Sequence, residues 1–198
     1  MEKVGYINKD ILGLNEGLNS KIKLNGVTIL YDDREILEQR NDVVQPICAG
    51  VIMTKDNKIL VLNKNSKATG INSPEKDKSL LYIGGHLDAV DGAQTNLISC
   101  ANGMVREIAE ETGVEISIEE GSLSRAILTY TPTTEKSARH FGVIFPVVIE
   151  KAFDTTFTDG KCRFVDIESL SQIKNFESWS EIIKKELVDK TYSDGKIL

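Results

Sequence analysis

Three glutamates in the middle of the sequence have the type and spacing to bind a metal ion. Glu107, Glu110 and Glu111 are spaced i, i+3 and i+4, so in an α-helix they share one face within about one turn. Like charges on one turn repel each other, and the negative end of the helix dipole favours a cation at its last turn. A hard divalent cation, Mg²⁺ or Mn²⁺, would relieve both penalties. The spacing allows a metal site, but taken alone it favours a solvated acidic face; Arg106 and Gly113 at their fixed offsets change that balance.

The residues around these glutamates predict an amphipathic helix over 95–112. Thr95 or Asn96 can cap its start, and Gly113 suits a left-handed C-cap. Arg106 lies at the edge of the acidic face, nearest Glu110. The opposite face is apolar and can pack on a core; it consists of Leu97, Ile98, Ala101, Met104, Val105, Ile108 and Ala109.

Upstream of the helix, a predicted strand over 79–83 runs into Gly84-Gly85-His86. Two glycines after a strand let the backbone approach a ligand closely. Periodicity and turn residues predict further strands over 26–31, 47–54, 58–63, 114–118, 122–131, 139–150 and 162–167, and helices over 34–40 and 178–188. The polar loop 64–78 is either a lid with lysines that meet an anion or an ordinary solvated loop.

Composition narrows the class of protein. The chain has 198 residues, 40% of them apolar, and a net charge of -6, which argues against a general nucleic-acid binder. No apolar run is long enough to span a membrane, so no membrane association is expected. Cys48, Cys100 and Cys162 fit neither a disulfide framework nor a zinc site, which predicts a reduced, cytoplasmic protein. We expect an N-terminal extension over 1–44 that packs on a domain over 45–198.

The string from Arg106 to Val114 reads Arg-Glu-Ile-Ala-Glu-Glu-Thr-Gly-Val, and it resembles the Nudix (MutT-type) hydrolase family. The match is complete for the second half of the Nudix box, and Gly84-Gly85 follows a strand as the family pattern requires. The first half departs from that pattern. Counting forward from Gly85 puts Asp91 where the upstream acidic residue belongs, with seven extra residues before Arg106; counting back from Arg106 puts Ile98 there. We prefer the first alignment, and whether Asp91 takes that role stays open.

The resemblance covers roughly residues 45–170 and implies an α+β fold, a Nudix-like α/β/α sandwich with a mixed β-sheet. It implies metal-dependent hydrolysis of a diphosphate linkage in a nucleoside diphosphate derivative or a related small phosphate compound, and a homodimer is left open. By this resemblance Glu107, Glu110 and Glu111, with Gly85, are the ligands of Mg²⁺ or Mn²⁺. Arg106 would act with these carboxylates by orienting one of them. The resemblance also implies that Gly84, Gly85 and His86 bind the phosphate groups of the substrate.

Two other readings compete with a hydrolase. The altered first half of the box is compatible with a catalytically silent Nudix-fold module that only binds a ligand or regulates. Chemistry like that of isopentenyl-diphosphate isomerase ranks last, because no cysteine stands in a suitable motif. The two histidines are ambiguous as well: His86 either contacts a phosphate or is a plain loop residue, and His140 fits a structural donor better than a site residue.

Overall fold

The computed structural model describes residues 2–19, 24–64, 75–118, 120–154 and 160–189. Most of the loop 64–78 therefore lies outside the described residues. The strands are β1 (Lys3–Asn8), β2 (Gly17–Leu18), β3 (Leu30–Asp33), β4 (Val43–Thr54), β5 (Lys58–Lys64), β6 (Ser79–Leu80), β7 (Ile83–His86), β8 (Ile127–Tyr130), β9 (His140–Ile149) and β10 (Gly160–Asp166).

The helices are fewer and mostly short. They are α1 (Lys9–Leu12), α2 (Arg34–Leu37), α3 (Asn96–Thr112), α4 (Glu120–Leu123) and α5 (Ser178–Ile183), with a π-helical segment over Lys184–Asp189 after α5. The described residues also contain four 3-10 turns, at Leu24–Gly26, Ala89–Asp91, Ser137–Arg139 and Ile167–Gln172. No helix in the described parts of the chain is long and apolar enough to cross a membrane.

The sheet is organised around β4, which is buried along almost its whole length. Its neighbours follow the order β10-β5-β4-β9-β8-β2. The β4–β9 pair is parallel and runs from Gln45 opposite His140 to Thr54 opposite Ile149, whereas β5, β7 and β1 pair with β4 in antiparallel fashion. The sheet is therefore mixed, as the sequence predicted.

Helices cover both faces of the sheet. A side chain added at Gly50 of β4 would meet Met104 and Ile108 of α3, which places α3 on one face. A side chain added at Gly142 of β9 would meet Trp179 of α5. Gly142 is paired with Ile47 of β4, so these two residues face the same side of the sheet. Residues 47 and 50 are three positions apart on β4 and face opposite sides. Helix α5 therefore covers the face opposite α3. The three layers are those of the predicted α/β/α sandwich.

The N-terminal segment is joined to this sheet by strand pairing. Ile7 and Asn8 of β1 pair with Val44 and Val43 of β4, while the first half of β1 pairs with β3. Ile7 is fully buried in the main core. The strand predicted over 26–31 begins later, at Leu30, because the residues that pair with β1 are Leu30–Asp33.

Several predicted boundaries were wrong. The stretch 79–83 is not one strand: β6 pairs with β5, and β7 pairs with β4. Residues 114–118 form no strand; Ile116 and Ile118 instead pack against the core as partly buried side chains, so their alternation reflects burial without a strand partner. Residues 122 and 123, placed at the start of the strand 122–131, belong instead to the helix α4. The helix over 34–40 is limited to Arg34–Leu37.

Candidate metal and phosphate site

Helix α3 presents the acidic residues because its other face is held in the core. The hydroxyl of Thr95 accepts a hydrogen bond from the backbone N–H of Ile98 at 3.3 Å and caps the start of the helix. Gly113 ends it in the left-handed region at φ 71°. Between these caps Met104 and Ile108 are fully buried, which turns the glutamates of the last two turns toward β7 and solvent.

Arg106 is the centre of the hydrogen-bond network at this end of α3. Its Nη1 donates to Oε1 of Glu107 at 2.8 Å and to Oε2 of Glu110 at 3.1 Å. Its Nη2 donates to the backbone oxygen of His86 at 2.9 Å. The guanidinium therefore holds two of the three predicted metal ligands and ties α3 to the end of β7.

Asp91 is the third carboxylate on Arg106. Its Oδ1 and Oδ2 accept from Nε and Nη2 of Arg106, both at 3.0 Å, and Oδ2 also accepts from the backbone N–H of Asp88 at 2.8 Å. Asp91 is only 4% exposed. Burial disfavours the charge of Arg106, but its bonds to Asp91 and Glu107 raise the pKa of the guanidinium overall. The extra residues before Arg106 thus leave Asp91 in direct contact with the box.

Glu107 lies directly over the backbone of Gly85. A Cβ placed on Gly85 would be 2.3 Å from both Cδ and Oε2 of Glu107, so only glycine leaves room for the carboxylate. Burial raises the pKa of Glu107, against the lowering effect of Arg106. A carboxylate is a hard oxygen donor, and a partly buried carboxylate with a raised pKa gains from a nearby cation.

Gly84 has a different neighbourhood. A Cβ there would come within 2.2 Å of the backbone oxygen of Cys48 and 2.5 Å of Cα of Ala49. The residue is therefore a packing glycine between β7 and β4, and a role in phosphate binding remains a prediction.

The remaining two glutamates differ in exposure. Glu110 is exposed, with a side chain 59% accessible, and Glu111 is half-buried. Across the described ranges, no three His, Cys, Asp or Glu side chains form a ready-made metal cluster. Arg106 holds Glu107 and Glu110 on its own guanidinium. The donor chemistry fits a hard divalent cation, and binding one requires the glutamates to exchange part of their contact with Arg106.

His86 points away from this site. Neighbouring residues of a strand face opposite sides, and Gly85 faces α3. The Nε2 atoms of His86 and His140 are 3.3 Å apart, and Nδ1 of His140 lies 2.7 Å from the carbonyl oxygen of Lys136. Since that carbonyl only accepts, His140 donates through Nδ1 and its Nε2 accepts from His86. Burial lowers the pKa of both rings, which favours their neutral forms.

Nothing in the sequence predicted that the two histidines would meet, because 54 positions separate them. Gln45 was also not predicted from the sequence as a residue of interest. Its polar side chain stands in a strand whose neighbours are buried and apolar, and such a residue in an apolar run is a signal of a buried polar contact.

Comparison with known proteins supports the fold. No protein-family model matches the sequence, and no curated protein matches it. The crystal structure of Tm1382, named as a candidate Nudix hydrolase, is 25% identical with a TM-score of 0.74, covering 96% of this chain and 100% of that chain. The fold is that of the Nudix hydrolases, which confirms the resemblance and the fold class read from the sequence.

Two further structures match the fold at lower identity. The NUDIX domain of Shewanella oneidensis NrtR, crystallised with ADP ribose, is 11% identical with a TM-score of 0.52, over 77% of this chain and 89% of that chain. A bifunctional NMN adenylyltransferase/ADP ribose pyrophosphatase from Francisella tularensis, in complex with AMP and a Mn ion, is 14% identical with a TM-score of 0.52. That match covers 74% of this chain and 42% of the other chain.

Proposed function

We propose that the protein hydrolyses a diphosphate linkage in a nucleoside diphosphate derivative or a related small phosphate compound, with Mg²⁺ or Mn²⁺ as cofactor. The observation that carries the proposal is the contact between Glu107 and the backbone of Gly85, beside the carboxylates held by Arg106. The Nudix fold and the AMP, ADP ribose and Mn ion bound by proteins of this fold support the substrate class and the metal.

Each residue of the site has a distinct task in this proposal. Glu107, Glu110 and Glu111 would hold the cation together with the carbonyl of Gly85. Once bound, the cation supplies charge neutralisation at the phosphate oxygens and lowers the pKa of a water molecule. Arg106 orients Glu107 through its Nη1 bond, and Asp91 fixes Arg106. One of these carboxylates, or another from a loop, would accept the proton of the attacking water.

One observation favours a second candidate, a Nudix-fold module that binds a ligand without turnover. Arg106 already neutralises Glu107 and Glu110, and the described residues contain no ready-made metal cluster. A protein of this kind would bind nucleotides and release no product from them.

The test is a panel of nucleoside diphosphate derivatives assayed for release of phosphate or pyrophosphate with Mg²⁺, with Mn²⁺ and with EDTA. We expect turnover by the wild type that EDTA abolishes, and a fall of about 10²-fold or more in Glu111→Gln and in Glu107→Gln. Glu115→Gln, an exposed neighbour outside the acidic cluster, is the matched control. Equal turnover in all variants would contradict the metal-binding role of Glu107 and Glu111. Nucleotide binding by the wild type without any turnover would instead support the module that binds a ligand and does not hydrolyse it.

The proposal extends to partners and location. A net charge of -6 fits a small-molecule substrate better than a nucleic acid. Cys48 and Cys100 are buried free thiols, which supports a reducing cytoplasmic location. A homodimer stays open.

A further inference from the structure

Asn25 and Gly26 form an exposed asparagine–glycine pair in the N-terminal segment. Both residues are exposed and belong to the 3-10 turn Leu24–Gly26. A Cβ added at Gly26 would meet nothing within 4 Å, so the space that a side chain would occupy there is open. A backbone nitrogen approaches the side-chain amide of the preceding asparagine most easily when it belongs to glycine, because glycine has no side chain to hinder the approach.

Two side-chain amides join this turn to the start of α3. Nδ2 of Asn96 donates to the backbone oxygen of Leu24 at 2.8 Å and to that of Val27 at 2.7 Å. Oδ1 of Asn25 accepts from the backbone N–H of Leu97 at 2.9 Å. The amide of Asn25 is therefore held against the first turn of α3 while the residue remains exposed to water.

The hydrogen bond from Leu97 activates the amide carbon of Asn25. When a nucleophile attacks Cγ, negative charge develops on Oδ1, and a backbone N–H directed at this oxygen from a helix N-terminus stabilises that charge. The backbone nitrogen of Gly26 is the nearest nucleophile along the chain. Its attack requires Asn25 to leave the helical region of backbone angles, which is a small change in an exposed 3-10 turn of three residues.

A second asparagine–glycine pair, Asn102-Gly103, lies in the middle of α3. Gly103 is buried, and a Cβ there would be 3.0 Å from Oδ2 of Asp91. Nδ2 of Asn102 donates to the backbone oxygen of Asp91 at 3.1 Å. In a helix interior each N–H is bonded to the carbonyl four residues earlier, so attack by the nitrogen of Gly103 requires the helix to open. The two pairs have the same sequence and opposite structural settings.

We infer that Asn25 is a site of spontaneous deamidation, activated by the N–H of Leu97. The nitrogen of Gly26 bonds to Cγ of Asn25 and loses its proton, the bond from Cγ to Nδ2 breaks, and ammonia leaves, which gives a cyclic imide. Water then opens the imide. Cleavage at Cγ gives aspartate, and cleavage at the main-chain carbonyl carbon gives isoaspartate. The sum is amide and water to carboxylic acid and ammonia, and it needs neither an oxidant nor a reductant.

The two products affect the start of α3 in opposite directions. Aspartate at position 25 places a carboxylate against the N–H of Leu97, and negative charge at a helix N-terminus is stabilising. Isoaspartate adds a carbon atom to the main chain between Leu24 and Val27, which changes the spacing of the two carbonyls that Asn96 bridges. The modification therefore acts on the attachment of the N-terminal segment to α3.

The experiment incubates the folded, full-length protein in a mildly alkaline buffer and follows its tryptic peptides by mass spectrometry. Peptide 24–34 has Asn25 as its only asparagine, and fragment spectra locate Asn102 within peptide 79–106. We expect Asn25 to lose its amide about tenfold or more faster than Asn102, because only Asn102 requires the helix to open. Asn25 should also react at least as fast in the folded protein as in the synthetic peptide 24–34, which lacks the contact with Leu97.

Variants test the nucleophile and the product separately. Gly26→Ala should slow the loss of the Asn25 amide about tenfold or more without lowering the melting temperature, since the methyl group hinders the nitrogen and meets nothing. Gly121→Ala, at another glycine with open space, is the matched control and should leave the rate unchanged. Asn25→Asp reproduces the aspartate product and should melt at the temperature of the wild type or higher.

The inference is overturned if Asn25 loses its amide no faster than Asn102, or if Gly26→Ala reacts at the rate of the wild type. It is also overturned if Asn25 reacts more slowly in the folded protein than in the synthetic peptide, because the contact with Leu97 would then protect the amide. These measurements use no metal and no substrate, so their outcome is independent of the proposed hydrolase activity.

Discussion

Asp91 and Arg106 form a two-point ion pair between a buried carboxylate and a half-buried guanidinium, with both N–O distances at 3.0 Å. The pair joins the 3-10 turn Ala89–Asp91 to α3 and leaves Nη1 of Arg106 directed at Glu107 and Glu110. Asp91 thereby contacts the box despite the extra residues between Gly85 and the helix.

We expect Asp91→Asn to lower the free energy of unfolding by about 1–3 kcal/mol, since the amide places N–H groups against the guanidinium and leaves a buried charge under-paired. Chemical denaturation measures this value. The matched control is Asp42→Asn, which weakens an exposed two-point pair with Arg40 and should cost less than about 1 kcal/mol. Equal effects at the two positions would show that the Asp91 pair contributes nothing beyond a surface contact.

The two glycines before His86 should respond differently to alanine. In Gly85→Ala the new methyl group would displace the Glu107 carboxylate, so we expect turnover to fall by about tenfold or more with little change in melting temperature. In Gly84→Ala the methyl group would meet the β4 backbone, and the whole protein should be destabilised by about 1–3 kcal/mol.

Gly26→Ala is the control for this pair, because a Cβ at Gly26 meets nothing within 4 Å. Thermal melting and initial rates on the same preparations separate the two effects. If Gly85→Ala lowers the melting temperature strongly, Gly85 is required for packing of the sheet, and the explanation that it makes room for the Glu107 carboxylate is wrong.

Mg²⁺ should stabilise the folded protein. A cation that binds only the native state at ten times its Kd raises the free energy of unfolding by about 1.4 kcal/mol, which thermal melts with and without MgCl₂ will detect. Glu107→Gln should abolish the shift, and Glu38→Gln, at an exposed glutamate bound to Arg34, should leave it unchanged. An identical shift in the Glu107 variant would place the cation elsewhere.

Glu177 gives the protein a pH-dependent stability. Its carboxylate caps α5 by accepting from the N–H groups of Trp179 and Ser180, and Tyr82 donates to it at 3.4 Å. Burial raises the pKa of Glu177 to about 7. Because the folded-state pKa is above the ordinary value, the folded protein holds this proton between about pH 4.5 and 7 while the unfolded chain has lost it, so stability falls as pH rises through that window.

We expect Glu177→Gln to remove this part of the pH dependence, which amounts to about 3 kcal/mol at most. Glutamine retains the acceptor oxygen of the cap and does not ionise. Denaturation curves at four pH values between 4.5 and 7.5 measure the slope, with Glu181→Gln on the same helix as an exposed control. A slope that is the same in the wild type and in Glu177→Gln would mean that another group carries the titration.

The sequence by itself determined the fold class and the position of the acidic helix. The 3.6-residue period of apolar side chains, the Thr95 cap and Gly113 are local signals, and α3 begins and ends where they predicted. The apolar run of β4 was recognised for the same reason. Predictions failed where local pattern and partner strand disagree, as at 114–118 and at the division of 79–83 into β6 and β7.

Only the tertiary structure decided which side chains meet. The pairing of Asp91 with Arg106, the seat of Glu107 on Gly85 and the contact of His86 with His140 depend on how β4, β7, β9 and α3 are stacked. Spacing along a chain specifies the face of one helix or strand. Contacts between elements depend on strand register and on which face each helix covers, and these are set by packing of the whole core.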